Sequence, residues 1–216
     1  MIKKFIFTFG AAVLLAAGAQ AQTGFGLKAG VNFPSYSYGN SDELSDTKST
    51  VNFHVTGYLD ARLAPGFYLQ PGVSLQGKGA KFAEAKIGST TYDVSQNTMW
   101  LDVPVNFVGK FPVGLGSVFV GAGPYVGFGL SGKNKLNSQD GDGDFSSSTL
   151  NEFSFGKDEA LKGTDFGVNF LAGFKLGNGL LLNANYGLGL TNIAGAKSLS
   201  DDIKNRGFSV GIGVEF

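Results

Sequence analysis

The chain has 216 residues, among them 34 Gly, 20 Phe and no Cys, so disulfide and thiolate chemistry are excluded. Lys+Arg and Asp+Glu balance at 17 each, and no clustered basic face of the kind a nucleic-acid partner requires is present. Abundant Gly together with abundant Phe fits a sheet with large residues on one side and tiny ones on the other.

Lys3 and Lys4 precede an apolar run from Phe5 to Ala17, and Ala19-Gln20-Ala21 follows it. A basic start, a short apolar run and small residues at the cleavage positions read as a secretory signal peptide; the run is too short to span a bilayer as a helix. Residues 1–21 are therefore expected to be removed, leaving 22–216 as one domain.

From Gly24 onward, apolar residues alternate with small or polar ones, the period of a strand with two unlike faces. The first strand, Gly24–Pro34, sets Phe25, Leu27, Ala29, Val31 and Phe33 against Gly26, Lys28, Gly30 and Asn32. The second, Val51–Leu63, sets Phe53, Val55, Leu59 and Ala61 against His54, Thr56, Tyr58, Asp60 and Arg62. The third, Gly66–Lys78, has Phe67, Leu69, Val73 and Leu75 opposite Tyr68, Gln70, Ser74 and Gln76. The fourth, Thr98–Lys110, has Met99, Leu101, Val103, Val105 and Phe107 opposite Trp100, Asp102, Asn106 and Lys110. In the fifth, Ser117–Ser131, the second face is largely glycine: Gly121, Gly123, Gly127 and Gly129, with Tyr125. The sixth, Thr164–Gly177, and the seventh, Gly179–Asn192, repeat the pattern. The eighth, Gly207–Phe216, shows it best, with Phe208, Val210, Ile212, Val214 and Phe216 on one face. Pro71, Pro104 and Pro124 fall inside strands, where each removes a ladder donor, and bulges are expected there.

The connections alternate strictly. Residues 64–65, 111–116 and 178 are tight turns, whereas 35–50, 79–97, 132–163 and 193–206 are long. Short periplasmic turns and long outer loops are the habit of outer-membrane barrels, and an even strand count puts both chain ends on the periplasmic side. The third long loop is rich in Ser, Asp and Gly and is expected to be mobile and exposed to protease.

Eight alternating strands also describe soluble barrels, in which the apolar set points inward and the other set faces water. Here the other set is dominated by Gly with Asn, Ser, Tyr and Gln, which suits a narrow filled interior better than a wet surface. Phe33, Phe53, Phe166 and Phe208 lie near one end of the apolar face, and Phe25, Phe67, Phe107, Phe174 and Phe216 near the other, as two interfacial girdles. The reading is an all-β, eight-stranded antiparallel up-and-down transmembrane β-barrel whose outward face meets outer-membrane lipids.

Several segments resemble the PorT-like outer-membrane β-barrel family. They are Gly26-Leu27-Lys28-Ala29-Gly30-Val31-Asn32, Leu101-Asp102-Val103-Pro104-Val105, Gly121-Ala122-Gly123-Pro124-Tyr125-Val126-Gly127, Tyr186-Gly187-Leu188-Gly189-Leu190-Thr191-Asn192-Ile193 and Asn205-Arg206-Gly207-Phe208-Ser209-Val210. Their order spans nearly the whole of 22–216, with the loops divergent. The resemblance implies an eight-stranded barrel in the outer membrane of a Gram-negative bacterium, an association with secretion in the founding member, and no catalytic residues. The terminal Phe216 and the alternate apolar residues before it look like the signal read by the outer-membrane assembly machinery.

The candidate chemistry is sparse. His54 is the single His and falls in the inward set, where it cannot serve a lipid hydrolase, and there is no Gly-x-Ser-x-Gly elbow. Asp140-Gly141-Asp142-Gly143-Asp144 spaces carboxylates as a Ca²⁺ loop does, but Phe145 stands where the loop needs Gly and Asn151 where it needs Glu. It reads as an exposed acidic loop. Lys28, Asp60, Arg62, Asp102, Lys110, Lys175 and Glu215 share the inward face and are expected to form an ion-pair network, with Glu215 bonded to Lys28 or Arg62. No catalytic, cofactor-binding or metal site is assigned. The expected role is that of a non-enzymatic barrel serving as an interaction, structural or secretion-associated component, with an unknown protein partner, through its outer loops or periplasmic face; a narrow small-solute pore is the alternative and a lipid-modifying enzyme stands behind it. Mass spectrometry of the membrane-extracted protein should find a chain beginning at Gln22; an intact Met1 would contradict the signal-peptide reading.

Overall fold

The computed structural model describes residues 23–39, 47–87, 89–139, 145–196, 198 and 202–216. The signal-peptide segment and Asp140–Asp144 lie outside them. Nine strands are described: β1 (Thr23–Tyr38), β2 (Asn52–Ala64), β3 (Phe67–Ile87), β4 (Thr90–Val113), β5 (Gly116–Gln139), β6 (Phe145–Phe153), β7 (Thr164–Leu176), β8 (Leu180–Gly189) and β9 (Ile203–Glu215). Neighbours along the ring β1-β2-β3-β4-β5-β7-β8-β9 pair antiparallel, and β1 pairs with β9 to close it. The barrel thus has the eight strands the alternation predicts. Among the described residues the ninth, β6, pairs with the outer end of β5 and with no other strand.

Closure is required in lipid. A backbone N–H or C=O without a partner in hydrocarbon costs several kcal/mol, so a membrane sheet must have no edge. The β1–β9 seam runs continuously from Gly26↔Glu215 to Tyr38↔Ile203. It is sealed at the periplasmic end by Phe25 N–H to Phe216 O at 3.3 Å, Phe216 N–H to Phe25 O at 2.8 Å, and a stacked Phe25–Phe216 pair with centroids 4.8 Å apart.

The faces sort as the period of two requires. Phe25, Phe107, Phe166, Leu182, Ile212 and Phe216 are exposed, and Lys28, His54, Trp100, Asp102 and Asn183 are buried in the lumen. Three apolar triplets put their middle residue inside instead. Phe119, Leu171 and Leu181 join Val108 in a buried lumen cluster against Tyr68. A run such as Leu180-Leu181-Leu182 hides its inward member because all three residues look alike on a hydropathy scale.

Two expectations are corrected. Pro71, Pro104 and Pro124 carry no bulge. The register is unchanged from Gln70↔Asn106 to Ser74↔Asp102 and from Pro104↔Tyr125 to Phe107↔Ala122, with pairs missing between them. A missing donor opens a gap in the ladder without inserting a residue. The register shifts lie instead between Arg62 and Ala64, Lys81 and Ala83, Met99 and Trp100, and Asn134 and Lys135.

The second correction concerns the outer loops. Residues 79–97 are not a loop, because β3 continues to Ile87 and β4 starts at Thr90, paired to the end. The described part of residues 132–163 holds the end of β5, all of β6 and a returning segment over the outer mouth. Ser, Thr and Asn are tolerated in a strand whose neighbours supply the ladder, so polar composition concealed these extensions.

Ile212 sits midway between Phe208 and Phe216 on the lipid face of β9. Ile212→Arg should cost about 2–4 kcal/mol in a folding titration into bilayers relative to Ile212→Ala, as for a cation at the midplane. Equal stability of the two variants would reverse the facing.

Candidate functional site

The lumen is closed at both ends and polar between. At the periplasmic mouth, Glu215 from β9 sits at the centre. Its Oε1 accepts from Lys110 Nζ at 2.6 Å and Lys175 Nζ at 2.5 Å, and its Oε2 accepts from Tyr58 Oη at 2.9 Å. Lys110 also donates to Asp60 Oδ2 at 2.7 Å and lies over the Tyr68 ring, 4.4 Å from its centroid. Gln70 Nε2 donates to Asp60 Oδ1 at 2.8 Å. These groups are mostly buried, so the attraction of the charges is little screened while their hydration is lost. Full satisfaction by hydrogen bonds makes such a knot tolerable.

The network lies where the alternation places it, but the partners of Glu215 differ from those expected. Lys28 lies one pleat further in and points over the Tyr58 ring, 4.5 Å from its centroid. Arg62 stands exposed near the end of β2, where the register shifts. Lys175 comes from β7, two strands from β9 on the other side, and Lys110 from β4, halfway round the ring, and their long stems reach the centre of the mouth. Pairing read from neighbouring strands alone misses such contacts across the lumen.

The outer mouth is closed by carbon. Tyr36, Ala80, Trp100, Leu161, Ile193, Ala194 and Ile203 form a buried cluster, with Tyr38, Phe153 and Phe155 packed against it. The segment after β6 places Phe155 edge-on to Trp100, centroids 4.9 Å apart, and Leu161 beneath it. Trp100 Nε1 donates to Thr98 Oγ1 at 2.9 Å, satisfying its one polar atom. Gly129 is required here, since a Cβ would stand 2.6 Å from the Phe155 ring. Trp100, Tyr58 and Tyr68 do fill the lumen as expected, but Trp100 serves as the floor of this cap.

Directly under the cap sits a second charged knot. Lys78 Nζ bonds Asp102 Oδ2 at 3.0 Å and Asp165 Oδ2 at 3.1 Å. Asp165 Oδ2 also accepts from Tyr125 Oη at 3.0 Å and Asn205 Nδ2 at 2.8 Å. The sequence reading placed Asp102 and overlooked Lys78 and Asp165. Parity would have found both, since Lys78 is two residues from Gln76 and Asp165 two from Gly167. His54 is buried, its Nδ1 2.7 Å from Asn32 Oδ1. Among the described residues no group of three or more His, Cys, Asp or Glu is placed to hold a metal.

Above the membrane, β3, β4, β5 and β6 continue as a four-stranded sheet. Lys81 bonds Asp93 at 3.0 Å across it, and Lys133 bonds Glu152 at 2.7 Å. The hydrogen bond from Lys133 holds the exposed Glu152 carboxyl below its usual range. Ser146–Leu150 of β6 are exposed.

The outer membrane protein beta-barrel domain family matches residues 19–195. The chain belongs to this family. Membership places it in the outer membrane of Gram-negative bacteria, in agreement with the strand count, the apolar outer face and the closed seam. No curated protein matches. Among solved structures it is similar to Ail, the attachment invasion locus protein of Yersinia pestis, at 13% identity over 89% of this chain and 98% of that one, TM-score 0.43. It is similar to Neisserial surface protein A at 15% identity over 89% and 97%, TM-score 0.43. The N-terminal barrel domain of Pseudomonas aeruginosa OprF matches at 12% identity over 88% and 97%, TM-score 0.27.

Removing Lys110 alone leaves the buried Asp60 without its ion-pair partner and Glu215 with Lys175 alone, and should cost about 3–5 kcal/mol, more than removing the charges together. A double-mutant cycle on Glu215→Gln and Lys110→Met should therefore show clear coupling, and the same cycle with Lys28→Met much less. Equal coupling in both cycles would contradict the network.

Proposed function

We propose that the chain is a non-enzymatic interaction protein of the outer membrane that works through the sheet it raises above the bilayer. The observation that carries this reading is the open edge of β6. A strand paired on one side presents a row of free donors and acceptors, the template on which an extended segment of another protein adds a strand. β6 has Ser146, Ser147, Ser148 and Thr149 facing solvent and is anchored by β5, so the edge is presented on a supported sheet.

Four further points belong to the same proposal. The barrel enters the membrane through recognition of β9 by the assembly machinery. On the segments quoted above it is a PorT-like barrel, and its partner is then a protein of a secretion or surface assembly. A role as a solute pore is disfavoured by the apolar cap and the Glu215 knot, which occupy the two mouths. Lipid-modifying chemistry is disfavoured because His54 is bonded to Asn32 inside the lumen, away from any lipid ester.

The test is site-specific photo-crosslinking from Ser147 and Ser148 in native outer membranes. A discrete adduct should form there. Successive N–H groups of a strand point to opposite sides, so of Ser147→Pro and Ser148→Pro one removes only an edge donor. That variant should lose the adduct and keep a folded barrel. Adducts arising only from the periplasmic turn at Ala64-Pro65, or none from β6, would overturn the reading.

A further inference from the structure

The outer sheet ends on β6, and the side-chain hydrogen bonds that cross it run in fixed directions. On one face, Asp93 of β4, Asn137 of β5 and Ser147 of β6 form a single register row. Lys81 Nζ donates to Asp93 Oδ2 at 3.0 Å, which marks Asp93 as an ionised carboxylate that only accepts. The Asn137 amide nitrogen therefore turns to Asp93 Oδ1, at 2.7 Å, and its own Oδ1 faces β6. Ser147 gives its hydroxyl proton to that oxygen, at 2.8 Å. What Ser147 shows to the edge is then the lone pairs of Oγ. Lys133 lies four residues before Asn137, on the same face of β5, and its register partner Glu152 is exposed and bonded to it at 2.7 Å. This face of β6 thus presents two acceptors, one neutral and one anionic.

The opposite face has the reverse polarity. Tyr36 Oη donates to Gln96 Oε1 at 3.0 Å, Gln96 Nε2 to Asn134 Oδ1 at 3.1 Å and Asn134 Nδ2 to Asn151 Oδ1 at 3.0 Å. Every donor in this chain points toward β6, so Asn151 Nδ2 is left as a donor at the edge. Asn134 pairs with Asn151 and Lys135 with Thr149, which makes Leu150 the extra residue of the register shift. That insertion sets Ser147 and Asn151, four apart in sequence, on opposite faces. Two hydrogen-bonded chains therefore end on one strand with opposite signs, and each polarises its last member in the direction it runs.

We propose that the segment that adds to β6 is a strand of a different protein, with donors on one face and an acceptor on the other. It carries Lys or Arg opposite Glu152, an amide, hydroxyl or ammonium donor opposite Ser147, and an amide or carboxylate oxygen opposite Asn151. In an antiparallel strand that keeps the register of β5, these are positions i, i+4 and i+1. A carboxylate opposite Glu152 or Ser147 is rejected, because it sets like charges or two acceptors against each other. A second copy of β6 does not fit, since residues 145–153 hold no Lys or Arg to meet Glu152. The inference rests on the strand-addition reading of this edge and adds the chemistry of the incoming strand.

The test uses the full barrel in lipid bilayers with a photo-crosslinker at Ser148, which is none of the three contact positions. The probes are short Thr/Val-rich peptides with Asn at i+1 that differ only at i and i+4, with Lys, Gln or Glu at both. The Lys peptide should bind about fivefold tighter than the Gln peptide, and the Glu peptide should form no adduct. Glu152 is exposed and lies outside the ring, so Glu152→Lys keeps the barrel folded. That variant should reverse the order of the Lys and Glu peptides, a rescue by charge swap that a merely structural effect would not give. In native outer membranes, the segment captured at Ser148 should show the same pattern when the crosslinked peptide is sequenced. Equal binding of the three peptides, an unchanged order with Glu152→Lys, or a captured segment with Asp or Glu opposite Glu152 overturns the proposal and leaves the strand-addition reading standing. A purified barrel that crosslinks to itself at Ser148 overturns it in favour of a second copy. Absence of any adduct, from peptides and from native membranes alike, removes both readings.

Discussion

A sheet in hydrocarbon has nowhere to put an unpaired peptide group, and the rest of the molecule follows from that constraint. It forces the ring to close, so β9 must meet β1 along its length. It forbids bulk water as a partner on the outer face, so that face is apolar from Phe25 round to Phe216. With closure at eight strands, the interior is only as wide as the side chains that fill it. Inward residues such as Lys110, Glu215 and Trp100 are then packed or bonded against others from across the ring.

Filling a space that narrow takes different materials at different depths. The outer mouth uses aromatic and aliphatic carbon brought by the segment after β6, and the periplasmic mouth uses four charges and two tyrosines. Apolar closure needs a chain segment that folds back, and the outer side has the long connections to provide one. Charged closure needs only stems long enough to reach the axis, which suits the side joined by tight turns. Each mouth is plugged with what its connections allow.

Much of this was legible in the sequence. The strand count, the facing of Leu182 against Asn183 and the inward position of Glu215 follow from parity alone, because a one-residue slip would turn every side chain over. The partners of Glu215 were not legible. Parity tells which face a residue takes, but the group it meets across a lumen depends on strand stagger and stem length, and Lys110 reaches where Lys28 does not. The outer sheet was hidden for another reason. Above the membrane both faces of β4 and β5 are wet, so the alternation that marks a strand in lipid disappears. Phe155 and Leu161 carried a signal, being large apolar residues in a polar connection, but nothing local says that their target is Trp100.

The seam between β1 and β9 sets how the protein comes to be. Gly26 pairs with Glu215, and almost the whole described chain lies between them. Contacts so distant in sequence reward the chain only after the loop-closure entropy has been met, and such topologies fold slowly. Until the last strand arrives, β1 is an open edge, and an open edge is tolerable in water or against a helper protein but not in lipid. Insertion and closure are thus one event. A seven-stranded sheet inserted before β9 would leave two edges in hydrocarbon, at several kcal/mol for each unpaired group.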